Sequence, residues 1–183
     1  MTAVVFSGRT NKAVEHHEMW NCRLGPADYY ISCCPMTVSH DIDRIIELYK
    51  PKGICIDHIP ETLPVRAMHY NRRRAFDMIQ DRPNRIVSSR FDLYVDDYIW
   101  YVDTIEDNTI YIPEGEDHGG LNDRFAYGNY ESMKIYCHLY DQIDTLSHPE
   151  LHPESILKEY VDITGLTVVR FPSPMKLYSL TVR

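Results

Sequence analysis

The chain has 183 residues, 44% of them hydrophobic, which suits one globular domain with a sizeable core and leaves no room for two nucleotide-binding domains. Its 19 basic and 27 acidic side chains give a net charge of -8, so we expect no nucleic acid as partner. Five cysteines, an odd number without a CxxC spacing, favour a reducing, cytoplasmic location.

The N-terminus is too short for a signal peptide, and no apolar run approaches the length of a membrane span. Residues 2–6 (TAVVF) instead predict a buried first strand, followed by a turn at Ser7, Gly8 and Arg9.

Strand and helix patterns alternate over the first ninety residues. Strands are predicted at 2–6, 28–34, 53–57 and 85–89, with helices at 11–22, 42–49 and 66–81 between them. Ser39 and Asp41 are candidate caps of the second helix. The alternation is typical of an α/β domain with a mostly parallel sheet flanked by helices.

The pattern changes after residue 92. Strands are predicted at 109–113, 167–171 and 177–182, and helices at 129–143 and 153–160. Without a linker or an internal repeat, we expect a single domain over 1–183, with a mixed, mostly parallel sheet.

Two acidic positions carry the functional argument. Asp92 follows the predicted strand 85–89, and Asp123 lies in a glycine-flanked turn. A carboxylate at the end of a strand in an open α/β sheet lies at the crevice where such folds bind ligands. The layout suits a divalent cation that holds a nucleotide diphosphate opposite a general base. We therefore expect a nucleotide-binding half up to about residue 92 and an acceptor-side half beyond it.

Four parts of the sequence carry a family resemblance: residues 4–9 (VVFSGR), the helix 68–80 with 88–93 (SSRFDL), 111–113 (YIP), and 119–128 (GGLNDRFAYG) with Ser132-Met133. Together they resemble small GT-A type glycosyltransferases, and more narrowly the N-terminal glycosyltransferase domain encoded by chlorella viruses. The resemblance implies transfer of a hexose, of glucose or rhamnose type, from a UDP-sugar to a glycan or glycoprotein such as a viral structural protein. It also places the enzyme in the host cytoplasm and is compatible with further domains of a longer polypeptide.

GT-A enzymes bind Mn²⁺ or Mg²⁺ through a D-x-D motif at a strand end, and the motif position here reads Arg90-Phe91-Asp92. The resemblance implies that Asp92 binds the metal cofactor, since a cation that also contacts phosphates needs only one or two protein carboxylates. Arg90 can add positive charge to the diphosphate or pair with a carboxylate. Asp96 and Asp97 are expected in a loop or on the surface, with contact of one of them to the metal through water as the alternative.

Asp123 matches the position of the catalytic base in inverting enzymes of this kind. Gly119 and Gly120 would let the backbone approach the donor sugar closely. Alternatively, Asn122-Asp123 caps a helix. Neighbouring side chains left as alternative bases or contacts to the sugar or metal are Glu116, Asp117 and His118.

Candidate nucleotide contacts are Ser7, Gly8, Arg9, Asp57, Tyr70 and Arg73. Asp57 is equally well an ordinary strand-end carboxylate, and Tyr70 with Arg73 equally well a core tyrosine beside a surface arginine. The triplet Arg72-Arg73-Arg74 predicts either a solvated helix face or a contact to a small anion.

Two histidine patterns have simpler explanations than metal binding. In His148-Pro149-Glu150 and His152-Pro153-Glu154, each proline opens a helical turn, and His16-His17 lacks a carboxylate at ligand spacing. The functions left as alternatives are a sugar-phosphate nucleotidyltransferase and a non-catalytic carbohydrate-binding domain.

Overall fold

The computed structural model describes residues 1–10, 12–34, 42–57, 63–96, 99–100, 102–147, 152–173 and 175–177. Its centre is a seven-stranded sheet in the order β3-β2-β1-β4-β7-β6-β8, and β5 pairs separately with β9. The strands are β1 Thr2–Ser7, β2 Ala27–Cys33, β3 Gly53–Ile56, β4 Arg85–Ser89, β5 Leu93–Val95, β6 Thr109–Pro113, β7 Phe125–Gly128, β8 Thr167–Phe171 and β9 Met175–Leu177. The helices are α1 Ala13–Leu24, α2 Ile42–Tyr49, α3 Pro64–Asp77, α4 Tyr130–Cys137, a 3₁₀ helix His138–Thr145, and α5 Pro153–Thr164.

Most of the sheet is parallel. Strands β1 to β4 run in one direction, β7 runs antiparallel to both β4 and β6, and β8 lies parallel to β6. The prediction of a mixed, mostly parallel sheet flanked by helices is therefore confirmed. Strands from both halves of the chain form one continuous sheet, with β7 as the link between β4 and β6.

Helices cover both faces of the sheet, which explains why β1 is apolar at consecutive positions. Ala3 and Val5 pack into one core with α3, α4 and α5, whereas Val4 and Phe6 pack into the other core with α1 and α2.

Two strands were not predicted from the sequence. The glycines at 119, 120 and 128 predict a turn that includes residues 125–128 (FAYG), but these four residues form the buried strand β7. The three-residue strand β5 is defined by its pairing with β9, about eighty residues away along the chain. The predicted last strand, 177–182, overlaps β9 at Leu177 only, and its remainder lies outside the described residues, as do Ser39 and Asp41.

The predicted helix 129–143 is wrong in its second half, which is a 3₁₀ helix. The His138 N–H donates to the carbonyls of both Lys134 and Ile135, and this shared bond marks the change from α to 3₁₀ geometry. Asn129 caps α4 by accepting a hydrogen bond from the Ser132 N–H, while Pro153 opens α5 and Gly165 closes it with a left-handed backbone. No helix in the described parts of the chain is long and apolar enough to cross a membrane.

Candidate functional site

The sheet register brings the two acidic segments together. Phe6 of β1 pairs with Ser89 of β4, and Ser89 pairs with Phe125 of β7. The residues just beyond these positions, Ser7, Arg90 and Asp123, therefore lie at one edge of the sheet. It is the edge formed by the carboxyl ends of the parallel strands, where open α/β folds bind ligands.

Arg90 and Asp92 form a bidentate pair. Arg90 Nε donates to Asp92 Oδ1 at 2.8 Å, and Arg90 Nη2 donates to Asp92 Oδ2 at 2.5 Å. Both oxygens of the predicted metal ligand thus accept hydrogen bonds from the arginine that replaces the first motif carboxylate. The Arg90 side chain is 32% exposed and that of Asp92 11%, so the arginine is the more accessible member.

The residue between them anchors the pair. The Phe91 ring is fully buried and stacks on Phe6 with ring centroids 4.3 Å apart, and the Phe91 carbonyl lies 2.9 Å from His16 Nδ1. Because a carbonyl only accepts, His16 Nδ1 carries the proton. His16 therefore positions the turn that holds Arg90 and Asp92.

Asp123 is buried, and Arg72 of α3 contacts it. Arg72 Nη2 donates to the Asp123 carbonyl oxygen at 2.6 Å and lies 3.9 Å from Asp123 Oδ2. The Tyr136 hydroxyl donates to the same carbonyl at 3.3 Å. Oδ2 itself is buried without a hydrogen-bond partner among the described residues.

The helix-cap alternative for Asn122-Asp123 is wrong, because the chain continues into β7. Asn122 Oδ1 accepts a hydrogen bond from the Arg124 N–H, a local turn that leads Asp123 to the strand.

His69 and Arg72 form a buried polar cluster that sequence reasoning missed. Arg72 Nη1 lies 3.3 Å from His69 Nδ1, and the Arg72 guanidinium lies 4.9 Å from the Tyr136 ring centroid. Burial, and then the Arg72 charge, hold the pKa of His69 well below its ordinary value of 6.5, so the ring is neutral. The spacing of His69, Arg72 and Phe76 is that of one helical stripe, and it was the available signal that Arg72 points inward.

The arginine triplet faces three directions, so neither predicted role applies to all of it. Arg72 is buried, Arg73 pairs with Asp141 at 2.6 Å, and Arg74 pairs with Asp57 at 2.6 Å.

The charges of further carboxylates act on Arg90. Burial opposes the charge of its guanidinium, but hydrogen bonding and charge from Asp92, with the charges of Asp123 and Glu154, outweigh burial and raise the pKa of Arg90. Glu154, in the first turn of α5, is buried. The sequence predicts only a helix-start role for it, since no local pattern shows that α5 begins against the glycine turn that precedes β7.

A divalent cation fits these residues poorly. Both Asp92 oxygens are occupied by a cationic side chain, and within the described residues no group of three or more His, Cys, Asp or Glu is arranged to hold a metal ion. We therefore assign no step of the reaction to a metal, and the expectation that Asp92 binds Mn²⁺ or Mg²⁺ stays a prediction.

The glycine turn packs against α5. The Gly120 N–H donates to the Asp117 carbonyl at 2.6 Å, the Leu121 N–H donates to the Glu154 carbonyl at 3.0 Å, and a Cβ on Gly120 would overlap that Glu154 carbonyl. Gly120 thus has a packing reason in addition to the predicted approach to the sugar. Gly119 has a positive φ of +87° and open space around its Cα.

Side chains of the same loop pair with each other and with β8. Asp117 Oδ1 accepts from Arg170 Nη2 at 2.7 Å, and Glu116 Oε2 accepts from Arg124 Nη1 at 3.0 Å and lies 3.2 Å from His118 Nε2. Asp117 and Glu116, the alternative bases, are thus each paired with an arginine. An open depression of about 400 Å³ borders Gly119, but its walls do not include Arg90, Asp92 or Asp123.

The candidate nucleotide contacts lie along the same sheet edge. Ser7 is buried at the end of β1, Gly8 has φ +98°, and Arg9 is exposed. Asp57 follows β3 and lies 3.1 Å from Cys55 Sγ.

Tyr70 and Arg73 both contact the 3₁₀ helix, at neighbouring residues. The Tyr70 ring centroid lies 5.0 Å from that of Tyr140 and 5.4 Å from the guanidinium of Arg74, and Arg73 Nη1 lies 2.6 Å from Asp141 Oδ1. Their role as nucleotide contacts stays a prediction. Of the remaining candidates, the carbonyl of exposed Asp96 accepts from Arg23 at 2.5 Å, and His17 lies 2.9 Å from Asn21 Nδ2. Asp97, His148 and Glu150 lie outside the described residues.

No protein-family model and no curated sequence matches the chain. Several solved structures do match the chain. A glycosyltransferase involved in glycosylation of the major capsid of PBCV-1 has a TM-score of 0.54 at 10% identity, over 94% of this chain and 82% of that one. The galactosyltransferase LgtC, in complex with donor and acceptor sugar analogs, has a TM-score of 0.58 at 14% identity, over 93% and 73%. A nucleoside-diphosphate-sugar pyrophosphorylase from Vibrio cholerae RC9 has a TM-score of 0.53 at 9% identity, over 94% and 91%.

At these identities the comparison concerns the fold, and two enzyme classes that handle nucleotide sugars share it. The expected resemblance to GT-A glycosyltransferase structures is confirmed, including the one linked to PBCV-1. The chain has the GT-A, or nucleotide-diphospho-sugar transferase, fold.

Proposed function

We propose that the chain is a glycosyltransferase that moves a hexose from a UDP-sugar to a hydroxyl group of an acceptor glycan. The observation that carries the proposal is the position of the Asp123 carboxylate near Arg90, at the ligand-binding edge of a fold shared with glycosyltransferases. A cation and a carboxylate together are what displacement of a nucleoside diphosphate requires.

The proposed reaction is a single displacement. The acceptor oxygen forms a bond to the anomeric carbon as the bond from that carbon to the diphosphate oxygen breaks, and the bonding electrons leave with UDP. The acceptor proton passes to Asp123, and Arg90 stabilises the charge that develops on the diphosphate. The product has the inverted anomeric configuration. Because Asp123 Oδ2 is buried in this structure, the proposal requires that the residues covering it move before the acceptor hydroxyl reaches it.

For the nucleoside, we propose the β1 turn at Ser7, Gly8 and Arg9, and Asp57 after β3. If these residues read the base, UDP raises the melting temperature more than GDP or CDP does. At a concentration about 100 times Kd, UDP should add about 2.7 kcal/mol to the free energy of unfolding. Mn²⁺ is included in all samples so that the outcome does not depend on a metal requirement. Equal protection by the three nucleotides would remove the assignment of the base contacts.

The pyrophosphorylase with the same fold favours one alternative, a sugar-phosphate nucleotidyltransferase. The two activities differ in products. Incubation with UTP and a hexose 1-phosphate releases pyrophosphate only if the alternative is correct, whereas UDP-glucose or UDP-rhamnose with a glycan array gives UDP and a glycosylated product only if the proposal is correct. Nucleotide binding without either reaction would favour a non-catalytic binding domain. A viral structural glycoprotein remains our proposed acceptor, in the host cytoplasm.

A further inference from the structure

The position that a divalent cation would take at the sheet edge is already filled by the side chain of Arg90. The Arg90 guanidinium lies against Asp92 and within the electrostatic influence of Asp123 and Glu154. A divalent cation among the same carboxylates would have to displace Arg90 from both oxygens of Asp92. It would also lie next to a like charge.

The Arg90 guanidinium has the charge and the hydrogen-bond donors that a diphosphate ligand requires. Its Nε and Nη2 bind Asp92, its Nη1 has no acceptor among the described residues, and the side chain is 32% exposed. Guanidinium groups bind phosphate oxygens through a planar fork of donors, and they keep their charge at any physiological pH. Asp92 fixes the orientation of this fork before a ligand arrives.

We infer that Arg90, oriented by Asp92, takes the place of the divalent cation, so that the donor diphosphate binds at this site without a metal. The inference rests on the proposed function. Asp92 is then a positioning residue that acts through Arg90.

The first test needs no variant. UDP is titrated into the wild-type chain by calorimetry, once with EDTA and once with Mn²⁺. We expect the two dissociation constants to agree within about twofold, less than 0.5 kcal/mol. Binding that requires Mn²⁺ overturns the inference and leaves the proposed function standing. An absence of UDP binding in both conditions overturns both.

Variants of Arg90 give the second test. Arg90→Met should weaken UDP binding in EDTA by at least about tenfold, because a charge-assisted contact to phosphate is lost. Arg82→Met is the matched control: Arg82 is an exposed arginine paired with Glu131, and its loss should leave UDP affinity unchanged. Arg90→Asp restores D-x-D and should make the residual UDP binding depend on Mn²⁺. Unchanged affinity in folded Arg90→Met, verified by its circular dichroism, would overturn the inference.

Discussion

Arg72 of α3 lies beneath Asp123 and donates a 2.6 Å hydrogen bond to its carbonyl oxygen, while the two charged groups approach to 3.9 Å. Both side chains are 2% exposed. The guanidinium therefore fixes the backbone of the proposed base and partly neutralises its carboxylate. Removal of either charge leaves the other buried without compensation.

Arg72→Met should lower the free energy of unfolding by about 3–5 kcal/mol, the usual cost of breaking a buried ion pair from one side. Arg73→Met, one residue along the same helix, removes surface pairs only and should cost less than about 1 kcal/mol. Urea denaturation of the two variants measures the difference. Similar losses would show that Arg72 does not carry a buried, compensated charge.

His69 should make stability depend on pH. Its pKa in the folded state lies well below 6.5 because of burial, and then because of the Arg72 charge. Below about pH 6.5 the unfolded chain thus binds a proton that the folded chain does not, and stability falls as the pH falls, by up to about 1.4 kcal/mol per pH unit. His69→Gln, which keeps an acceptor for Arg72 but does not titrate, should flatten this part of the curve. Urea midpoints between pH 5 and 7 test it, and parallel curves for the two proteins would contradict the assignment.

Much of the sheet follows from local sequence. β4, β6 and β8 have the bounds predicted for them, because each is a short run rich in apolar and β-branched residues that ends at a polar residue or a proline. β7 was missed because Gly119 and Gly128 suggested a turn, although the four residues of the strand are buried.

The site shows the same division between local and long-range information. Arg90 and Asp92 follow the predicted strand β4, so the sequence alone was enough to place them at the carboxyl edge of the sheet. Asp123 reaches the same edge at the start of β7, a strand that the sequence did not predict. Glu154 is brought to the site by the contact between Gly120 and the start of α5, two segments that are more than thirty residues apart in the sequence. The ion pair of Arg90 with Asp92 depends on rotamers, which a motif does not specify.

Gly120→Ala should destabilise the chain by about 3 kcal/mol, because its Cβ would overlap the Glu154 carbonyl. Gly119→Ala is the matched control, since its Cβ meets nothing within 4 Å and only the positive φ costs energy, about 1 kcal/mol. Thermal melts of the two variants and of the wild-type chain measure the difference. A larger loss in Gly119→Ala would contradict the packing explanation.

UDP should protect Cys55 from thiol reagents. Cys55 lies on β3, two residues before Asp57, at the proposed nucleoside contact. Exposed Cys22 is an internal control that UDP should not protect, while burial raises the pKa of Cys33 and of Cys137 to about 12, which keeps both unreactive. Mass spectrometry after brief labelling gives the rate at each cysteine. Equal labelling of Cys55 with and without bound UDP would place the nucleoside elsewhere.

Asp123→Asn tests the proposed chemistry. Asparagine keeps the shape of the side chain and leaves the carbonyl that Arg72 binds, but it removes the charge that faces Arg72 and so lowers stability, which requires assays well below the melting temperature of the variant. Because asparagine cannot accept the acceptor's proton, transfer by the folded variant should fall by roughly 10²–10⁴-fold. UDP affinity should persist, because Arg90 contacts the diphosphate. The rate of UDP release with acceptor, calorimetry with UDP, and the anomeric configuration of the product by NMR give three separate readouts. Near-normal transfer, or a product that retains the donor configuration, would exclude Asp123 as the base of a single displacement. Loss of UDP binding would make Asp123 structural and leave Glu154, a buried carboxylate whose charge acts on Arg90, as the next base to test.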